Sequence, residues 1–115
     1  QTEETSIFKD ITPKDAYFLI RNNLNNSNFS IIDVRTSQEY VQGHLENATN
    51  LDYSSQFFKD ELNKLDENKR YLIYCGTGQR SKAVLGVMKE LGFREVYNMS
   101  GGITQWNAEG LPTIR

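Results

Sequence analysis

The strongest constraint on the fold is a pair of short apolar runs, SIIDV at 30–34 and YLIY at 71–74, each bounded by loop-forming residues. Compact runs of this length, rich in β-branched and aromatic residues, read as buried strands. Around them the apolar spacing changes to a helical repeat. Ala16, Leu19, Ile20 and Leu24 predict a helix over 13–24, with Thr12 as its cap, Pro13 in first place and Asp15 in the first turn. Phe57, Phe58, Leu62 and Leu65 predict a second over 54–65, capped by Ser54 or Ser55. Ala83, Val84, Val87, Met88 and Leu91 mark the inward face of a third over 81–91, stopped by Gly92. Weaker signals place an edge strand at 8–11, a brief helix at 37–41 ended near Gly43, and a strand at 49–51. A last strand falls at 95–98 and a last helix at 102–108, while NNLNNSN at 22–28 is a loop.

Strands that alternate with helices argue for an α/β fold, a parallel sheet covered by helices on both faces. Ligands of such sheets bind beyond the carboxyl ends of the strands. The 115 residues suit one domain, expected over 7–115 behind a frayed polar tail at 1–6. A net charge of −2 with 24% charged residues gives no electrostatic footprint for nucleic acid. No apolar run approaches the length of a membrane span. One cysteine and one histidine exclude an intrachain disulfide and a zinc cluster, so no metal is expected. The opening QTEETS lacks a methionine and an apolar leader. A mature form freed of its leader and a piece of a longer chain both fit, which leaves cytoplasm and export open.

The lone cysteine closes the YLIY run and opens CGTGQRS, 75–81, ahead of a helix. Gly76 and Gly78 let this loop curl so that successive N–H groups converge. The helix start adds its own unpaired N–H groups and the positive end of its dipole. A thiol on the floor of such an anion cradle is favoured as thiolate, the reactive form. Arg80 brings a permanent charge, and Thr77 and Ser81 bring hydroxyls for sulfur or a bound anion. Ser81 serves equally well as a plain helix cap. Position alone would make Cys75 a packing residue; the joint pattern of glycines, helix start and arginine argues for chemistry. Asp33 and Arg35, after the first buried run, are read first as a pair that shapes the rim. Trp106 is read as core, and Gly101-Gly102 as a point of close approach between the last helix and the loop.

These residues resemble a known family. DVR at 33–35, Glu39-Tyr40, Gly43-His44, Ala48-x-Asn50, CGTGQR at 75–80 and VYNMSGGITQW at 96–106 are similar to the motifs of single-domain rhodaneses, which are sulfurtransferases. The resemblance implies a three-layer α/β/α fold around a five-stranded parallel sheet. It implies Cys75 as nucleophile, Arg80 as the loop-closing arginine, and Gly76, Thr77, Gly78, Gln79 and Ser81 as the loop that holds a persulfide, with Asp33, Arg35 and Lys82 in support. It gives the position of His44 a structural role. The implied reaction carries sulfane sulfur from thiosulfate or a persulfide to a thiol, cyanide or a sulfur-acceptor protein, with no cofactor and no need of more than a monomer. Phosphatases and arsenate reductases of the same fold hold five residues between cysteine and arginine; here there are four, Gly76 to Gln79. A non-catalytic binding or sulfur-carrier module is the remaining alternative. Two departures stand out. Asn47 replaces the usual glycine in a turn it can still make, and only Arg80 within the loop is cationic, which counts against thiosulfate as the natural donor.

Overall fold

A computed structural model of the chain describes residues 6–115; residues 1–5, most of the expected tail, lie outside the described residues. The elements run β1 (Ile7–Ile11), α1 (Pro13–Arg21), β2 (Phe29–Asp33), α2 (Ser37–Gln42) and β3 (Ala48–Asn50). They continue with α3 (Phe58–Asn63), β4 (Arg70–Tyr74), α4 (Gln79–Glu90), β5 (Glu95–Met99) and α5 (Gly102–Ala108). The five strands form one sheet in the order β1-β5-β4-β2-β3, and every pairing is parallel.

The pleat divides the core. Tyr71 and Ile73 of β4, with Cys75 just past it, face a layer with Phe58, Leu62, Val84 and Met88 of α3 and α4. Leu72 and Tyr74 face the opposite layer with Ala16, Ile103 and Trp106 of α1 and α5. Successive strand residues point to opposite faces, so a strand covered on both sides must be apolar throughout, as YLIY is. The three-layer α/β/α arrangement stands as the alternation of elements predicts. β4 lies at the centre of the sheet, and its carboxyl end delivers Cys75.

Three helix details differ from the sequence reading. α1 stops at Arg21, not 24, because the asparagines take over its end. The Asn22 N–H bonds back to the Phe18 and Ile20 carbonyls. The Asn23 side chain donates to Leu19 O at 2.8 Å and accepts from Asn26. Short polar side chains compete with the helical ladder in this way, and Leu24 is left outside. α3 begins at Phe58, and neither Ser54 nor Ser55 caps it. Ser54 is held by Asp52, and Ser55 Oγ accepts the Phe57 N–H in a turn before the helix. α4 begins at Gln79, capped by Gly78, so Ser81 is not the cap. Its buried stripe runs Ser81, Val84, Met88, and Ala83, expected inward, lies off that stripe in solvent. Asn47 has φ +70° and makes its turn in the left-handed region that asparagine tolerates.

Candidate active site

Cys75 is the first residue past β4, and its side chain is almost wholly enclosed, at 1% exposure. The chain then bends through Gly78, whose φ of +99° is one that L side chains rarely adopt. This bend turns the start of α4 onto the sulfur. Cys75 Sγ accepts the N–H of Gly78 at 3.1 Å, and the N–H and hydroxyl of Ser81 at 3.3 Å each. Burial pushes the thiol up. Hydrogen bonds from the Ser81 hydroxyl and from the N–H groups of Ser81, Gly78 and Thr77 outweigh it and bring the thiol below its ordinary value. Ser81 is thus a buried residue of the first turn that donates to the sulfur and is not the helix cap.

A second helix start braces the loop from behind. The N–H groups of Ile103 and Thr104 in α5 donate to the carbonyls of Cys75 and Gly76 at 2.9 and 3.0 Å. A Cβ on Gly102 would lie 2.5 Å from both of those oxygens, and one on Gly78 would lie 2.9 Å from Gly101 N. No side chain fits at either contact. The Gly101-Gly102 pair therefore permits the close approach expected of it.

Arg80 leaves the loop toward α2 and forms a two-point pair with Glu39, at 3.1 and 3.4 Å. Its hydrogen bonds to the Glu39 carboxylate raise the guanidinium above its ordinary value, and the same contact lowers the Glu39 carboxyl. A Cβ at Gly76 would come within 3.2 Å of the guanidinium, so this glycine gives Arg80 its path. Glu39 also closes a capping box with Thr36 at the head of α2. The capping box is legible as Thr-x-x-Glu; the pair with Arg80 joins residues far apart in sequence and is not.

The other candidates are placed as follows. Asp33 and Arg35 meet in a buried pair at 2.8 Å, and Arg35 reaches on to Gly43 O at 2.6 Å. Burial opposes the Arg35 charge, but Asp33 more than offsets it. The pair ties β2 to the end of α2 and builds the rim. Thr77 and Gln79 sit exposed on the loop. Lys82 is largely in solvent, with its ammonium 3.6 Å from Asp10 on β1. The His44 ring stacks on Tyr40 at 3.8 Å and is hydrogen-bonded to Tyr40 O, in keeping with a structural position. A polar cleft of about 510 Å³ is lined by Arg35, Glu39, Gln42, Ile103, Asn107 and Arg115 among others, and meets the loop only through the Glu39 partner of Arg80 and through Ile103. Asn98, to which the sequence reading gave no role of its own, is buried beside Gly78. Among the described residues no group of three or more His, Cys, Asp or Glu is placed to hold a metal ion, and no helix is long and apolar enough to cross a membrane.

A cysteine at the carboxyl end of the central parallel strand, cradled by the next helix start, defines a class of α/β proteins with a cysteine loop. The family follows from comparison with known proteins. The pattern of the Rhodanese-like domain matches residues 19–109, and the chain belongs to that family. It is 31% identical over 102 residues to the thiosulfate sulfurtransferase GlpE of Coxiella burnetii, covering 89% of this chain and 90% of that protein. It is 34% identical over 101 residues to the tRNA uridine(34) hydroxylase of Buchnera aphidicola, but spans only 31% of that longer protein. Among solved structures, a rhodanese-related protein from Thermoplasma volcanium superposes with a TM-score of 0.76 at 27% identity, over 93% of this chain and 98% of the other.

Proposed function

We propose that this protein is a sulfurtransferase that carries sulfane sulfur on Cys75. The observation that supports it most is the set of three donors on Cys75 Sγ, supplied by only two residues of a four-residue turn and helix start. Hydrogen bonds to a charged acceptor contribute about 1.5–3 kcal/mol each. The same donors favour the thiolate before reaction and an anionic sulfur after it.

In the first half-reaction the Cys75 thiolate attacks the outer sulfur of a donor such as thiosulfate. A sulfur–sulfur bond forms to Cys75, the donor's own sulfur–sulfur bond breaks, and sulfite leaves with its electron pair. In the second, an acceptor thiolate or cyanide takes the outer sulfur and Cys75 leaves as thiolate. No external oxidant or reductant is consumed. Arg80, held by Glu39, closes the loop, and four residues between Cys75 and Arg80 suit one sulfur atom better than a tetrahedral phosphoryl group. Asp33 and Arg35 support the rim. The polar cleft beside the Glu39 partner of Arg80 offers room for the rest of the donor or acceptor.

The test is intact mass after incubation with thiosulfate and, separately, with an alkyl hydropersulfide. Wild type should gain one sulfur and lose it to cyanide; Cys75→Ser should gain none. Failure to load from either donor would overturn the proposal. Loading without turnover on cyanide would reassign the protein as a carrier for a dedicated acceptor.

A further inference from the structure

Behind the loop lies a polar contact that the reaction scheme leaves unused. Asn98, on β5, is buried at 2% exposure. Its amide nitrogen donates to the Asp10 carboxylate on β1 at 3.0 Å and to the Gly78 carbonyl at 3.4 Å. Both partners are acceptors, so the side chain has only one orientation that serves them. Its carbonyl oxygen, Oδ1, then has no hydrogen-bond partner among the described residues. A buried acceptor left in that state is destabilising. An apolar side chain of similar size would avoid the penalty, because the Gly78 carbonyl also receives the Lys82 N–H at 3.2 Å and Asp10 reaches solvent. The fold therefore gains nothing obvious from an amide at this place, and the reason for it must lie in what its NH₂ group holds.

What it holds is the cap of α4. Gly78 presents its N–H to Cys75 Sγ, and the helix that begins there presents Ser81 to the same atom. We propose that Asn98 is a positioning residue for Cys75, fastening the Gly78 cap to the Asp10 carboxylate so that the N–H groups of Gly78 and Ser81 stay directed at the sulfur. The proposal deepens the sulfur-transfer reading, since it takes the Cys75 thiolate as the reacting group. Asp10 is in turn 3.6 Å from Lys82 of α4, so edge strand, inner strand and helix meet at this one contact. The charged groups around the site are Arg80 with Glu39 on the α2 side, Asp33 with Arg35 beyond β2, and Asp10 with Lys82 on the β1 side.

The test uses the lone cysteine as its own reporter. The rate of iodoacetamide alkylation is measured against pH for wild type and Asn98→Leu, with thermal unfolding alongside. The alkylation midpoint of Asn98→Leu should rise by about half a unit to one unit, the equivalent of one ordinary hydrogen bond. The rate at neutral pH should drop about threefold to tenfold, and the two proteins should converge at high pH where both are thiolate. The unfolding midpoint should be unchanged or higher. An unshifted alkylation midpoint, or a loss of stability with a pH-independent loss of rate, would overturn the proposal.

A second pair of variants decides the matter should Asn98→Leu not fold. Asp10→Ala and Asp10→Asn remove the same charge, but only the asparagine can still accept from Asn98. Asp10→Asn should have the lower alkylation midpoint of the two, and equal midpoints would overturn the proposal. Sulfur loading is measured separately. A protein that never loads sulfur yet shows these shifts would sink the sulfurtransferase reading and leave the role of Asn98 standing.

Discussion

Four of the five described helices begin in one of two ways; α3, with Phe57 at its cap position, has neither a side-chain cap nor a left-handed glycine. α1 and α2 start at Thr12 and Thr36, whose hydroxyls accept the N–H of the third helical residue. α4 and α5 start at Gly78 and Gly101, both left-handed and both without a side-chain cap. Several of their first N–H groups find partners outside the helix. Those of Gly78 and Ser81 at the start of α4 meet the Cys75 sulfur, and those of Ile103 and Thr104 in α5 meet the carbonyls of Cys75 and Gly76. Where a side chain caps a helix, the need of its first turn is met locally. Where glycine replaces it, the first turn is open to a distant partner, and here both such turns converge on one loop. The lesson is that a left-handed glycine cap can mark a site as clearly as a reactive residue does.

Four outcomes would break or sharpen that contrast. Cys75→Ser should abolish sulfur loading while leaving the sheet intact, checked by intact mass and circular dichroism. Gly102→Ala places a methyl group 2.5 Å from two carbonyl oxygens at a φ of +60°; we expect a loss of roughly 2–4 kcal/mol of stability, read from the denaturant midpoint, together with slowed alkylation of Cys75. A midpoint like that of wild type would mean that α5 does not brace the loop.

Ser81→Ala removes one donor from Sγ and should slow loading at neutral pH by about threefold to tenfold. The sign of its pH effect is fixed. The folded thiol lies below its ordinary value, so the stability it contributes is present above about pH 8.5, the unfolded thiol value, and is lost as pH falls through the lowered folded value. Wild type should therefore gain stability over Cys75→Ser as pH rises through that window, and this gain should shrink when Ser81→Ala is present. The smallest effect belongs to the locally capped class. Thr12→Ala should lose about 1 kcal/mol of stability and leave the alkylation profile of Cys75 where it was.

Much of this was legible before any coordinates. Thr12, Pro13 and Asp15 announced the start of α1, and the two apolar runs announced the buried strands, because these signals act within a few residues. The ends of α1 and α3 were not legible from apolar spacing, since Asn23, Ser54 and Ser55 make side-chain bonds that the spacing does not register. In the site, Cys75, Arg80 and the glycines around them stood out together. Glu39 stood only within the Glu39-Tyr40 motif and Asn98 only within VYNMSGGITQW, neither with a role in the site. Lys82, implied by the resemblance as a supporting residue just beyond the loop, is carried by the turn of α4 to Asp10.

The amino-acid sequence by itself determined the alternation of strand and helix, and with it a parallel sheet. It also determined that the only thiol sits at a strand end among residues able to curl. Those are consequences of local periodicity, backbone freedom and charge, and they act along the chain. Only the tertiary structure decided which partners the loop would have: Ser81 on the sulfur rather than on its own helix end, Glu39 on Arg80, α5 against the Cys75 carbonyl, and Asn98 on Gly78. Each of those contacts depends on the order of strands in the sheet and on the closeness that Gly78 and Gly102 allow. Hydrogen bonds form at three ångströms in space, whatever the distance along the chain.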